Sequence, residues 1–179
     1  MAISKRNLPL AIVTGAGIGI GEATALTLGK LGYRVIVTDI LDKEGKAVAR
    51  KINRSGAADF YHMDVSDTDN VNSVVAEVEK KYRKPFEVII NNAGIAKTMP
   101  LKGMKDKDWD WIHEVDLKGM MRLCRAAAPK MRKAKKGSIV CLSSIAGYTV
   151  GWDKHIPYSA AKAGIAGFTK ALAVELAAD

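Results

Sequence analysis

The sequence predicts an α/β domain built on a doubly wound parallel sheet. Three observations carry that prediction. Short apolar runs alternate with helical segments along the whole chain of 179 residues. The runs are continuously apolar instead of alternating, so both faces of their sheet must be covered. No internal repeat, low-complexity tract or Gly/Ser/Pro linker divides the chain, so residues 1–179 read as one domain.

The elements follow in order. Leu10 to Thr14 is a buried strand closed by glycines. Glu22 to Leu31 has a helical pattern, and Gly32 suits its C-terminal stop. Arg34 to Thr38 is a second strand, rich in β-branched residues. Lys43 to Asn53 is a helix, with a strand near Asp59 to Met63 after it. Asp67 to Tyr82 repeats the helical pattern, and Phe86 to Ile90 is a fourth strand. Lys105 to Lys135 is one long helix or a broken pair, with Pro129 inside it. Ser138 to Leu142 is a fifth strand, and Pro157 to Ala178 a last helix whose first turn suits the proline. Strand–helix–strand units of this kind connect by right-handed crossovers.

Composition narrows the class. A hydrophobic fraction of 48% and a charged fraction of 26% exclude a disordered or collagen-like chain. The net charge of +9 suits an anionic cofactor or substrate. The densest basic run, Lys130, Arg132, Lys133, Lys135 and Lys136, lies at a helix C-terminus, where cations offset the dipole, and it lacks interleaved aromatics. No nucleic-acid partner is expected. No apolar run approaches the roughly 20 residues that span a bilayer, and Leu8 to Val13 is too short for a signal-peptide core. Cys124 and Cys141 form no CxxC pair and read as buried thiols of a cytoplasmic protein. His62 and His113 have no ligand cluster around them, so no metal site is expected.

The first strand runs into Thr14-Gly15-Ala16-Gly17-Ile18-Gly19-Ile20-Gly21, and a helix follows. Glycines let this backbone turn sharply and approach a ligand, and the N–H groups at the helix start suit a pyrophosphate. The loop is not a Walker A loop, since no Gly-Lys-Ser/Thr follows, and its third glycine is out of register for a strict GxGxxG. Asp39, just past the second strand, is placed to accept both ribose hydroxyls and to repel a 2′-phosphate. NAD is therefore the expected cofactor. Tyr158 and Lys162 share one face of the last helix, where an ammonium favours the phenolate. Such a tyrosine exchanges a proton with a substrate oxygen near neutral pH. Ser143 and Ser144 end the fifth strand, at the sheet edge where ligands of such folds bind.

With these residues in order, the sequence resembles the short-chain dehydrogenase/reductase family over essentially its whole length. Thr14-Gly15-xxx-Gly19-x-Gly21 looks like the family's cofactor loop, Asp64-Val65 its adenine contact, and Asn91-Asn92-Ala93-Gly94 its motif after the fourth strand. Ser144 before Ile145-Ala146-Gly147 matches the catalytic serine, and Tyr158-Ser159-Ala160-Ala161-Lys162 the catalytic tyrosine and lysine. The resemblance implies a Rossmann-type fold and hydride transfer between NAD(H) and a secondary alcohol or ketone. It makes Tyr158 the acid/base, has Tyr158 and Lys162 contact the cofactor, Lys162 by holding the nicotinamide ribose, and has Ser144 orient the substrate oxygen. Gly17, Ile18 and Ile20 complete the expected cofactor cradle.

Two departures stand out. Asp116 occupies the position where the family usually has Asn, which holds an irregularity in the long helix and a water near the lysine; Asp lacks the amide donors. Asp116 is a fourth catalytic candidate. The family also continues with further strands and a substrate lid after a segment like Val174 to Asp179, so a longer native chain is expected. These departures motivate an alternative, a non-catalytic nucleotide-binding or interaction module, or an inactive fragment. Small residues at Ala160, Ala163, Gly164, Gly167 and Ala171 make a flat helix face. The family pairs this helix and the one before it between subunits, which implies a homo-oligomer through Lys105–Lys135 and Pro157–Ala178. His155 is expected to be a solvated loop residue, and Trp152 either walls the substrate pocket or packs the loop.

Overall fold

The computed structural model describes residues 7–178. Five parallel strands, β1 (Leu10–Thr14), β2 (Arg34–Asp39), β3 (Ala57–His62), β4 (Val88–Asn91) and β5 (Ser138–Cys141), form one sheet in the order β3-β2-β1-β4-β5. Helices α1 (Gly19–Lys30) and α2 (Asp42–Asn53) cover one face. Helices α3 (Thr68–Tyr82) and α5 (Gly119–Ala134) cover the other. The order reverses at β1, where β2 and β4 flank it, and the crevice beyond the strand C-termini at such a point is where ligands bind in this architecture.

Period-two alternation sorts the strand side chains between two cores. Leu10, Ile12, Ile36 and Ile89 meet Val71, Val75, Leu123 and Ala127. Val13, Val35, Val37 and Ile90 meet Ala25, Val48 and Ile52 on the opposite face. Both faces of β1 and β2 are thus dry, as the unbroken apolar runs require.

Several boundaries differ from the sequence reading. Helix α1 starts at Gly19 instead of Glu22, so Gly19, Ile20 and Gly21 form its first turn. Strand β2 extends to Asp39, which is its last residue and not a loop residue. Strand β3 begins at Ala57 because Arg34 to Asp39 pair with it residue for residue. The long helical region is a single continuous path: α4 (Asp106–His113), a π-helical segment (Glu114–Lys118) and α5. Pro129 is accommodated within α5. The last helix, α6 (Ile156–Leu176), has Pro157 in its first turn as expected. Among the described residues no helix is long and apolar enough to cross a membrane.

Candidate active site

The crevice is assembled from the ends of β1, β4 and β5. Thr14, the last residue of β1, is a latch: its Oγ1 accepts the N–H groups of Asn92 at 3.1 Å and Ala93 at 3.0 Å. Asn92 returns the contact, its Nδ2 donating to the carbonyls of Thr14 at 2.9 Å and Gly15 at 3.0 Å. Gly15 has φ +61°, and a Cβ there would lie 2.9 Å from Ala93 Cα. A side chain on Gly21 would collide with the Gly15 carbonyl, so α1 enters the loop more closely than any other residue permits. Ile18 precedes α1 without a side-chain cap, and Ile18 and Ile20 face solvent. The open helix start therefore fits a pyrophosphate, with Gly15, Gly17, Ile18, Gly19, Ile20 and Gly21 lining the approach.

Asp39 closes the far side of this loop. Its Oδ2 accepts the Gly17 N–H at 2.7 Å and its Oδ1 accepts the Leu41 N–H at 2.9 Å. The carboxylate is buried and fixed in direction, with each oxygen keeping a second lone pair. Asp64 stands half-buried after β3, its carboxylate held by the N–H and hydroxyl of Ser66. Val65 points into the core against Gly119, so its side chain is structural.

Asn91 departs from the expected cluster. Its side chain lies on the α5 face of β4, with Nδ2 3.4 Å from Cys124 Sγ and 3.7 Å from Cys141 Sγ, while Asn92 faces the loop. The strand alternation that separates Ile89 from Ile90 separates these two asparagines. The side chain of Asn91 is a core contact, and only its neighbours Asn92, Ala93 and Gly94 border the crevice.

Lys162 and Asp116 form the centre of the site. Lys162 Nζ lies 3.2 Å from Asp116 Oδ2, both side chains being almost fully buried, and donates to the Leu142 carbonyl at 3.1 Å. Asp116 Oδ1 accepts the Ile95 N–H at 2.8 Å. A Cβ on Gly94 would lie 3.0 Å from Asp116 Oδ2 and 3.1 Å from Lys162 Nζ, so the chain after β4 lies directly against the ion pair. Burial raises the Asp116 carboxyl above its ordinary value, and the Lys162 charge opposes that rise. Lys162 Nζ lies 5.5 Å from the ring centroid of Tyr158, one helical turn away.

The two serines differ in their commitments. Ser143 Oγ donates to the Lys162 carbonyl at 2.6 Å, so its proton is used in the fold. Ser144 Oγ accepts the Ala146 N–H at 3.1 Å and keeps its own proton for a ligand. Trp152 stacks on His155 at 3.8 Å and meets Tyr158 edge-on at 5.5 Å. His155 is 9% exposed, contrary to the solvated residue expected, because the loop folds back: Met99 N–H donates to Lys154 O at 2.7 Å.

The sequence reading missed the Thr14 latch and the role of Arg122. Arg122, buried in α5, donates to the Glu114 carbonyl at 3.0 Å and to the Thr68 hydroxyl at 3.0 Å, and pairs with the Glu114 carboxylate. It thereby supports the π-helical segment that presents Asp116. Only its position one turn beyond Lys118 hinted at this.

The short chain dehydrogenase model matches residues 9–179. The chain belongs to the short-chain dehydrogenase family. It is 38% identical over 167 residues to a 3-oxoacyl-(acyl-carrier-protein) reductase of Thermotoga maritima, covering 93% of this chain and 67% of that protein. It is 35% identical over 168 residues to the corresponding reductase of Escherichia coli, covering 94% and 67%. A crystal structure of a metagenomic short-chain oxidoreductase in complex with NADP superposes with TM-score 0.89 at 36% identity, covering 97% of this chain and 77% of that one. The short-chain dehydrogenases are oxidoreductases.

Proposed function

We propose that the protein exchanges a hydride between a nicotinamide dinucleotide, NAD in preference to NADP, and a ketone or secondary alcohol. The observation that carries this reading is the Lys162 ammonium, held by Asp116 and the Leu142 carbonyl 5.5 Å from the Tyr158 ring, against the chain after β4 that borders the β1–α1 loop. When bound, the nicotinamide supplies the hydride chemistry. The open start of α1 holds the pyrophosphate, and Asp39 receives the adenosine ribose. Tyr158 passes a proton to or from the substrate oxygen, helped by the ammonium of Lys162. Ser144 donates to the same oxygen and fixes its direction.

The names of the relatives in Thermotoga and Escherichia support a 3-oxoacyl thioester among the ketones to be tried. The neighbour that holds NADP makes cofactor choice a separate test. The two free thiols support a cytoplasmic setting, and the exposed small residues of α6 support self-association through α4, α5 and α6.

The experiment is turnover of a panel of ketones, 3-oxoacyl thioesters included, followed by nicotinamide absorbance. Tyr158→Phe is expected to lower turnover by about 10²–10⁴-fold, with dinucleotide affinity by calorimetry unchanged. Unchanged turnover in Tyr158→Phe would overturn the mechanism. Dinucleotide binding without turnover on the whole panel would favour a non-catalytic module.

A further inference from the structure

Two cysteines stand outside the chemistry above, and they are not separate. Cys124 projects from α5 and Cys141 ends β5, where it pairs with Asn91 in the sheet register. The Nδ2 of Asn91 bridges them, 3.4 Å from one sulfur and 3.7 Å from the other. Asn91 is 4% exposed, and its amide directs its donors at the two sulfurs. A donor pair aimed at two thiols favours an anion on one of them.

The two sulfurs differ in access. Cys124 is 2% exposed, whereas Cys141 is partly open and lines a cleft of about 390 Å³ between α5, α6 and β5. Met131, Ile139, Thr169 and Leu172 line the same cleft. A small, uncharged oxidant entering that cleft therefore meets Cys141, while Cys124 stays buried behind the cleft wall.

We propose that Cys141 is a site of reversible thiol oxidation by a hydroperoxide, with Cys124 as its resolving thiol. The Cys141 thiolate attacks the distal peroxide oxygen; the O–O bond breaks, and water or an alcohol leaves after protonation. Cys141 becomes a sulfenic acid, oxidised by two electrons, while the peroxide is reduced. The Cys124 sulfur then attacks the sulfenic sulfur, an S–S bond forms, and the hydroxyl leaves with the Cys124 proton as water. An added dithiol returns both sulfurs to thiols. The acidities agree with these roles: hydrogen bonding from Cys124, against burial, pulls the Cys141 thiol below the usual range, and the same contact together with burial raises that of Cys124.

The test uses the folded, reduced protein and hydrogen peroxide, with peptide mapping under non-reducing conditions. The expected product joins the Cys124 and Cys141 peptides, weighs two hydrogens less than the reduced pair, and disappears on treatment with dithiothreitol. In Cys124→Ser the expected product is instead a dimedone adduct on Cys141, which marks the trapped sulfenic acid. Iodoacetamide given to the reduced wild type should label Cys141 at least tenfold faster than Cys124. Two free thiols after peroxide would overturn the proposal. So would a dimedone adduct of equal yield in wild type and Cys124→Ser, since Cys124 would then resolve nothing. None of these readouts needs turnover, so the failure of the proposed reductase activity leaves them intact.

Discussion

Asp116 shows how one side chain sets the chemistry of another. Its carboxylate lies 3.2 Å from Lys162 Nζ and is 1% exposed. The pair holds the ammonium in place, and the carboxylate offsets part of its charge one helical turn from Tyr158. In the proposed reaction, oxidation of an alcohol uses Tyr158 as base. Asp116→Asn is therefore expected to displace the pH profile of kcat/KM for oxidation toward lower pH. An unmoved profile would make Asp116 purely structural. The carboxyl also has a signature in stability. Burial raises its pKa in the folded chain, so its contribution is complete below the unfolded value of 3.8 and is lost as pH rises through the folded one. Asp116→Asn should remove that decline from a series of melting curves. Asp39 carries the other prediction at this scale. Its fixed carboxylate would meet a 2′-phosphate at close range, so kcat/KM should favour NAD over NADP, and Asp39→Ala should narrow the ratio. The ratio is the right readout, because losing the Gly17 and Leu41 contacts weakens both cofactors alike.

At the scale of elements, the long helical region shows why some of the site was readable from sequence and some was not. The buried strands were legible because continuous apolar runs at Leu10–Thr14 and Arg34–Thr38 are what a sheet covered on both faces demands. The start of α1 was not, because Gly19-Ile20-Gly21 has poor helix propensity, and the close packing of Gly21 on Gly15 and Asn92 comes from the assembled loop. The different fates of Asn91 and Asn92 follow from strand alternation, but only once β4 is known to reach Asn91. The placement of Asp116 is similar: resemblance marked the position, yet its partners Ile95 and Lys162 come from other elements. Arg122 holds this region together by bonding the carbonyls of Val65 and Glu114 and the hydroxyl of Thr68. Arg122→Met should cost about 2–3 kcal/mol in urea unfolding, below the 3–5 of a fully buried pair because Glu114 keeps some water. Hydrogen bonding from Arg122 depresses the Glu114 carboxyl below its usual 4.5. That contribution is present above pH 4.5 and is lost as pH falls through the folded value, so Arg122→Met should also flatten the acid limb of the stability curve. An acid limb as steep as in the wild type would show that Glu114 does not draw on Arg122.

Across the whole molecule, charge and apolar surface are unevenly spread. The chain carries a net charge of +9, which opposes close approach of two copies except where apolar area outweighs it. Two of the described surfaces that offer such area bear on self-association. One is β5, an edge strand whose Val140 is 44% exposed. The other is α6, where Ala163, Gly167 and Ala171 are exposed beside Val174 at 80%. A strand edge templates open-ended pairing, whereas a flat helix face set against its own copy closes at two. The small residues of α6 fit the second mode, because they let two backbones approach closely. Gly164 is the exception on that helix: a Cβ there would lie 2.9 Å from Leu117, so it serves packing within the chain. A Cβ at Gly167 would meet nothing within 4 Å, so this position is free to change. Gly167→Arg should leave the fold intact and stabilise the isolated helix by up to about 1 kcal/mol, while placing a bulky cation in the middle of the flat face. Sedimentation velocity is expected to show association in the wild type and a monomer in Gly167→Arg, at equal helicity by circular dichroism. Val140→Lys, on the strand edge, should leave that association unchanged. If Gly167→Arg associates as the wild type does, the α6 face is not the contact between copies; if Val140→Lys alone abolishes association, the copies meet through the sheet edge.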